Sequence, residues 1–157
     1  MKYSTVATGG TFDHIHKGHL ALLAKSFEVG ERVVIGVTSD SFARKEGKVP
    51  DEPYEERVRH LEEAIGEDFP RREYVIAKLD DYFGPGIASR DVQAIVVSRE
   101  TAKRVPLANE LREAKGFPPL QVEIVDFVMA DDSRPISSTR IRNGEIDAEG
   151  KLLKRPA

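Results

Sequence analysis

Residues 8–19 read TGGTFDHIHKGH, and they join a short β-branched run at 3–8 to a helical stretch at 19–29. Gly9 and Gly10 carry no Cβ, so they end the run and let the backbone approach a ligand closely. The helix that begins near Gly18 directs the positive end of its dipole into the same loop. The stretch therefore predicts a strand, a ligand-binding loop and a helix, which together form the first unit of a parallel α/β fold.

Further apolar runs alternate with helical stretches along the rest of the chain. Strands are predicted at 32–38, 73–77, 94–97 and 122–128, and helices from Pro53 to Gly66, over 101–115 and from Ser137 or Ser138. The alternation predicts an α/β, doubly wound, Rossmann-like fold, with a parallel five-stranded sheet and helices on both faces. Ligands of such sheets bind beyond the carboxyl ends of the strands.

The composition narrows the class of protein. The chain of 157 residues suits one domain spanning 1–157. Lys and Arg total 24 against 27 Asp and Glu, for a net charge of −3, whereas a nucleic-acid binder that works through bulk charge is basic. The absence of cysteine excludes disulfides, thiolate metal sites and cysteine nucleophiles. We find neither a signal peptide nor an apolar run of membrane-spanning length, so we expect a cytoplasmic protein without a membrane partner.

Histidines in the first loop are the main candidates for chemistry. His16 and His19 are three residues apart near the first turn of the helix, so they can present two ring N–H donors on one side. Such donors suit a polyphosphate, whose charge develops during transfer. Two surface histidines, or a metal site that adds His14, are the alternatives. A metal is less favoured, because Asp13 is the only acid close by.

The segment PISSTRIR at 135–142 is the second candidate site. Its hydroxyls at a helix start can donate to phosphate oxygens, and either Arg140 or Arg142 can add a forked cationic contact. An ordinary helix cap with two surface arginines is the alternative. His60, which lies among Glu and Arg residues on the second helix, is expected to be exposed to solvent.

Both segments resemble blocks of the HxGH nucleotidyltransferase superfamily. GGTFD at 9–13 with HKGH at 16–19 is similar to its first block, and ISSTRIR is similar to its ISSTxIR block. The resemblance implies that Thr11 orients the incoming and transferred phosphates. It also implies that the nucleotide is bound by Gly9, Gly10, Phe12, His16, Gly18, His19, Ser137, Ser138, Thr139 and Arg140.

The opening GGTFDHIHKGH is most similar to archaeal and eukaryotic phosphopantetheine adenylyltransferases. LDDYFGP at 79–85 and VVSRET at 96–101 resemble blocks of the same branch. The resemblance implies transfer of the adenylyl group of ATP to 4′-phosphopantetheine, with Mg²⁺ accompanying ATP. A lysine of the second loop is implied to contact phosphate; of Arg44, Lys45 and Lys48 we favour Lys45, and Arg99 adds positive charge.

Other functions remain open at this stage. The nearest is adenylyl transfer to nicotinamide mononucleotide, and a second is a nucleotide sensor without catalysis. An RNA-binding module built on local basic patches is disfavoured by the isoelectric point near 5.9. The residues are compatible with either a monomer or a homo-oligomer.

Overall fold

Strands and helices alternate in the computed structural model, which describes residues 1–82, 84 and 89–153. In chain order the elements are β1 (Tyr3–Gly10), α1 (Lys17–Val29), β2 (Gly30–Thr38), α2 (Asp40–Lys45), α3 (Tyr54–Asp68), β3 (Glu73–Leu79), β4 (Ala94–Ser98), α4 (Arg99–Ala102), α5 (Val105–Ala114), β5 (Gln121–Val125) and α6 (Ser138–Arg142). All five predicted strands are present, which confirms the predicted α/β class.

The five strands form one parallel sheet in the order β3-β2-β1-β4-β5. The chain first winds from β1 to β3 in one direction and then continues from β4 on the other side of β1. This reversal makes the crevice beside β1 the position where a doubly wound sheet binds ligands. The sheet is therefore doubly wound, as predicted, and the first loop lies at its reversal point.

Helices cover both faces of the sheet. Neighbouring residues of a strand point to opposite faces, and on β1 the buried Val6 and Ala7 belong to different core clusters. Val6 packs with Leu23 of α1 and Leu61 of α3, whereas Ala7 packs with Ala108 of α5. The prediction of helices on both faces is confirmed.

Helix boundaries differ from the predictions in three places. Residues 40–45 form a helix within what the sequence indicated as the second loop, because Ser39 caps this helix and Phe42 is buried. Gly66 does not end α3, which continues to Asp68. The single helix predicted over 101–115 is two helices, since α5 begins afresh with Pro106 in its first turn, where a missing N–H costs little.

Candidate active site

The loop after β1 is held in a fixed shape by close backbone contacts. A Cβ at Gly9 would lie 3.1 Å from the carbonyl oxygen of Gly36 on the neighbouring strand, so only glycine fits there without displacement. Phe12 and His14 adopt positive φ angles of 55° and 51°, which are uncommon for residues with side chains. The ring of Phe12 is fully buried and lies 5.2 Å from that of His19. The sharp turn thus anchors the loop in the core.

Two backbone hydrogen bonds orient the histidine rings. The Nδ1 atom of His16 accepts from the amide of Gly18 at 3.0 Å, and Nδ1 of His19 accepts from the amide of His16 at 3.2 Å. The two rings stack with centroids 3.8 Å apart. Because Nδ1 is an acceptor in each ring, the proton of the neutral imidazole belongs on Nε2. Both rings therefore have an N–H donor on the atom that the cap does not use.

Burial keeps both rings uncharged at neutral pH. It is the main reason that the pKa of His16 is lowered to about 4, and the charge of His14 contributes to the same shift. The pKa of His19 lies well below its ordinary value, again chiefly because of burial, with His16 and Lys48 adding to the effect. Neutral imidazoles agree with the acceptor role of Nδ1, so at pH 7 the pair can donate hydrogen bonds without titrating.

The lowered pKa of His16 predicts a loss of stability in acid. The unfolded chain takes up this proton more readily, so the free energy of unfolding should fall once the pH drops below about 6.5 and level off below the folded pKa of about 4. For His16 alone, we expect a loss of about 2 kcal/mol between pH 7 and pH 5. Urea unfolding measured across this range checks it.

A matched variant isolates this contribution. In His16→Asn, the amide oxygen can replace Nδ1 as the helix cap but does not titrate. Its free energy of unfolding should therefore fall by about 2 kcal/mol less than that of the wild type over the same pH range. Identical pH dependence of the two proteins would contradict the assignment.

The first amides of α1 already have protein partners. The amide of Lys17 donates to the carbonyl of Ala148 at 3.3 Å, and that of Gly18 donates to His16. The sequence predicted that the positive end of this helix points into the loop, where its amides would be available to a ligand. The structure instead favours the ring N–H groups of His16 and His19 as the donors for an anion, with the helix dipole adding a favourable field.

Asp13 connects the two predicted segments. Its carboxylate is fully buried and accepts from Arg142 at 2.9 Å and from the amides of Asp51 and Glu52 at 3.1 and 3.2 Å. The hydroxyl of Ser138 donates to the backbone carbonyl of Asp13. The structure therefore brings GGTFDHIHKGH and ISSTRIR together, although more than a hundred residues separate them.

Arg57 is a second connecting residue, and its role was missed from sequence. Its side chain is fully buried and donates to the carbonyl of Thr11 at 2.7 Å, to the carbonyl of Glu52 at 3.0 Å and to Asp40 at 2.7 Å. A buried guanidinium is costly unless it is paired and hydrogen-bonded. The sequence shows Arg57 only as one of several charged residues in PYEER at 53–57, which does not distinguish it from a surface arginine.

Several predicted phosphate ligands are engaged within the protein. Ser137 caps α6, and the hydroxyl of Thr139 accepts from Arg142. Arg140 is paired with Asp132, and Arg99 is paired with Asp126 at 2.8 Å. Both guanidinium groups would have to leave these carboxylates to bind a nucleotide, so their roles stay predictions.

The three basic residues that were candidates for a phosphate contact in the second loop have different surroundings. Lys45 is exposed in the last turn of α2. Lys48, three residues later, is close enough to lower the pKa of His19. Of the three basic candidates, only Lys48 is therefore among the residues whose charge shifts the pKa of His19; Arg44 and Lys45 are not.

The three loop histidines do not act as one ligand set. His14 Nε2 lies 2.6 Å from Asp51, and with Asp13 these residues form the group whose spacing could hold a metal among the described residues. The Oδ2 atom of Asp13 lies 4.0 Å from His14 Nε2 and already accepts from Arg142 at 2.9 Å. A cation there would face the guanidinium of Arg142 and a carboxylate that already accepts three hydrogen bonds, so the group does not fit a resident metal.

His60 has a different environment from the predicted one. It is half-buried rather than simply solvated, and its ring is paired with Glu52. Glu52 in turn accepts from the amide of His14 at 3.2 Å. The ring therefore supports the 51–52 loop that surrounds Asp13.

A cavity of about 760 Å³ lies at the amino ends of the strands, on the side of the sheet opposite to the histidine loop. Its lining includes Thr5 at the start of β1 and Gln121 at the start of β5, and none of the predicted site residues. The amino ends of parallel strands are not where doubly wound sheets bind their ligands. We therefore place the candidate site at the carboxyl end of β1.

A parallel sheet whose first loop presents paired histidine donors defines a nucleotidyltransferase-like protein, and comparison with known families agrees. Residues 7–144 match the cytidylyltransferase-like family, and the chain belongs to it. Its relatives include the phosphopantetheine adenylyltransferase of Methanothermobacter thermautotrophicus, which is 48% identical over 154 residues, covering 98% of this chain and 92% of that one. The enzyme of the same name from Pyrococcus abyssi is 41% identical and covers 99% of both chains.

Solved structures support the fold. A protein of unknown function from Archaeoglobus fulgidus superposes with a TM-score of 0.69 at 31% identity, over 78% of this chain and 89% of that one. A bifunctional NMN adenylyltransferase/ADP ribose pyrophosphatase from Francisella tularensis has a TM-score of 0.59 at 19% identity, over 90% of this chain and 41% of that one. The second likeness concerns the fold alone. Among the described residues, no helix has the length and apolarity needed to cross a membrane.

Proposed function

We propose that this protein transfers the adenylyl group of ATP to 4′-phosphopantetheine, giving dephospho-coenzyme A and pyrophosphate in coenzyme A biosynthesis. The proposal is supported by relatives named phosphopantetheine adenylyltransferase that match over nearly the whole chain. The observation that carries it is the pair of neutral rings, His16 and His19, each with Nε2 left as a donor at the carboxyl end of β1.

The reaction needs positioning more than proton transfer. The attacking group is a phosphate monoester with a second pKa of about 6, so it is largely a dianion at neutral pH and requires no general base. Two anions must be brought together, and fixed donors can stabilise the charge that develops between them. We assign His19 to the α-phosphate and His16 to the ATP phosphates, while Thr11 orients the nucleophile from a backbone held by Arg57.

A divalent metal fits this scheme as part of the substrate. Nucleotidyltransferases of this family generally use ATP with a divalent metal. We propose Mg²⁺, which commonly keeps several waters and binds through substrate phosphates. Since the group around Asp13 does not fit a resident ion, the metal would enter with ATP, and its chemistry is to neutralise phosphate charge.

Single-residue substitution separates the candidate lysines. Lys48→Gln should raise the KM for a phosphate substrate about tenfold, because a charge-assisted contact is lost, whereas Lys45→Gln should stay within about twofold of wild type. Steady-state kinetics with each substrate varied in turn checks this. The reverse ranking would restore the assignment made from sequence, in which Lys45 was favoured.

A direct assay tests the function. The purified protein is incubated with MgATP and either 4′-phosphopantetheine or nicotinamide mononucleotide, and pyrophosphate and the nucleotide product are measured. We expect dephospho-coenzyme A from the first acceptor and negligible dinucleotide from the second. Dinucleotide as the main product would identify the alternative enzyme. Tight ATP binding without release of pyrophosphate from ATP in the presence of either acceptor would indicate a nucleotide sensor.

The proposed reaction also bears on the partners, the location and the domain organisation of the protein. Small anionic substrates need no nucleic-acid or membrane partner, and we propose a cytoplasmic enzyme whose residues 1–157 work as one nucleotidyltransferase domain. A homo-oligomer is not needed for any contact described at the site.

A further inference from the structure

Residues that follow β2, β3 and β4 contact one another at the carboxyl ends of the strands. The guanidinium of Arg104, which follows β4, lies 3.8 Å from the ring centroid of Tyr82, which follows β3. The same guanidinium is 3.9 Å from the carboxylate of Glu46, at the end of α2. Tyr82 also packs edge-on against Phe42 of α2, at 5.0 Å between ring centroids.

The sheet order places this contact over the candidate site. β2 and β4 flank β1 on its two sides. A contact between Glu46, after β2, and Arg104, after β4, must therefore pass over the end of β1, where Gly9 and Gly10 lie. Lys48 is two residues beyond Glu46, and its charge acts on His19, so this connection lies close to the histidines.

We propose that Arg104 binds a phosphate group of a substrate and that Glu46 holds its guanidinium in the free enzyme. The separation of 3.9 Å exceeds that of a hydrogen bond, and Arg104 is half-exposed, so the pair with Glu46 is weak. A phosphate can accept two parallel hydrogen bonds from the guanidinium and is the stronger partner. The contact with the ring of Tyr82 restrains the guanidinium, and about half of the Arg104 side chain stays exposed to solvent.

This inference rests on the proposed function, because the ligand is one of its two substrates. Either ATP or 4′-phosphopantetheine can supply the phosphate, so the dissociation constant of each is measured separately by calorimetry. Arg104→Gln should raise the dissociation constant of one of them about tenfold. Lys103→Gln is the matched control, since it removes a neighbouring exposed charge outside the contact, and it should change neither constant more than about twofold.

Glu46→Gln provides the second test. Removing the intramolecular competitor should lower the dissociation constant of the same substrate about two- to fivefold, in the opposite direction to the change in Arg104→Gln. A merely structural role for the pair would move both variants in the same direction. This opposition keeps the test decisive even if Arg104→Gln lowers the melting temperature.

The outcomes separate the two proposals. Opposite shifts in the two variants for one substrate support the role of Arg104, and that substrate identifies the phosphate. Equal behaviour of Arg104→Gln and Lys103→Gln, or an unchanged or raised constant in Glu46→Gln, overturns it. If wild type forms dephospho-coenzyme A in such a case, the proposed function still stands; if wild type binds neither substrate, both proposals fail.

Discussion

Replacement of His19 by asparagine is expected to lower kcat roughly 10²–10³-fold, the typical effect of removing one donor that stabilises a developing charge. The asparagine oxygen can take the place of Nδ1 and accept the amide of His16, so the helix cap is kept. The Nε2–H donor is lost. Because that donor is assigned to charge that develops during transfer, the KM values should change far less than kcat. Steady-state kinetics with each substrate saturating in turn measures both.

Two further variants control this experiment. His19→Gln extends an amide N–H toward the Nε2 position and should recover part of the lost rate. His60→Asn alters a half-buried ring that is paired with Glu52, and it should leave kcat within about threefold of wild type if the ring only supports the loop. A His19→Asn protein that keeps at least a tenth of the wild-type kcat would remove His19 from the role assigned to it.

Local patterns in the sequence were enough to predict the strands and the class of fold. β1 and β2 are runs of β-branched residues bounded by glycine or helix signals, so their existence follows from hydrophobic periodicity. Helix α2 was missed because its six residues carry only Phe42 and Ala43 on the buried side, which is too short for a period to be seen. The order of the strands in the sheet depends on contacts between distant residues, which periodicity does not contain.

The candidate site was predictable only in part, for the same reason. The spacing of His16 and His19 correctly predicted that their rings lie together, because residues three apart share a helix face. The partners that set their surroundings are distant in sequence: Arg57 is 46 residues from Thr11, and Arg142 is 129 residues from Asp13. In the block LDDYFGP, Phe83 and Pro85 lie outside the described residues, so the structure does not test the roles that the resemblance implies for them.

Arg57→Met is expected to lower the free energy of unfolding by about 3–5 kcal/mol, because two backbone carbonyls lose a charged hydrogen-bond donor that is worth about 1.5–3 kcal/mol to each. Methionine fills much of the same space, but the carbonyls of Thr11 and Glu52 lose their donor at the same time. Asp40 loses its guanidinium partner as well. Urea unfolding of the two proteins at pH 7 measures the difference.

Arg59→Met is the matched control for this change. Arg59 lies on the same helix but is exposed, and it pairs with Glu56 and Glu63 at the surface, so its loss should leave the unfolding midpoint close to that of wild type. If Arg57→Met were no more destabilising than Arg59→Met, the buried hydrogen bonds would not be the main support of the loop.

The same substitution should also impair catalysis well below its melting temperature. Arg57 holds the carbonyl of Thr11, the residue assigned to orient the nucleophilic phosphate, and small misplacements of positioning groups are costly to rate. At a temperature where at least nine-tenths of the variant is folded, we therefore expect kcat/KM to fall about a hundredfold. Full activity in the folded fraction would confine Arg57 to stabilising the fold and would leave the orientation of Thr11 to the contacts of Gly9 and Phe12 alone.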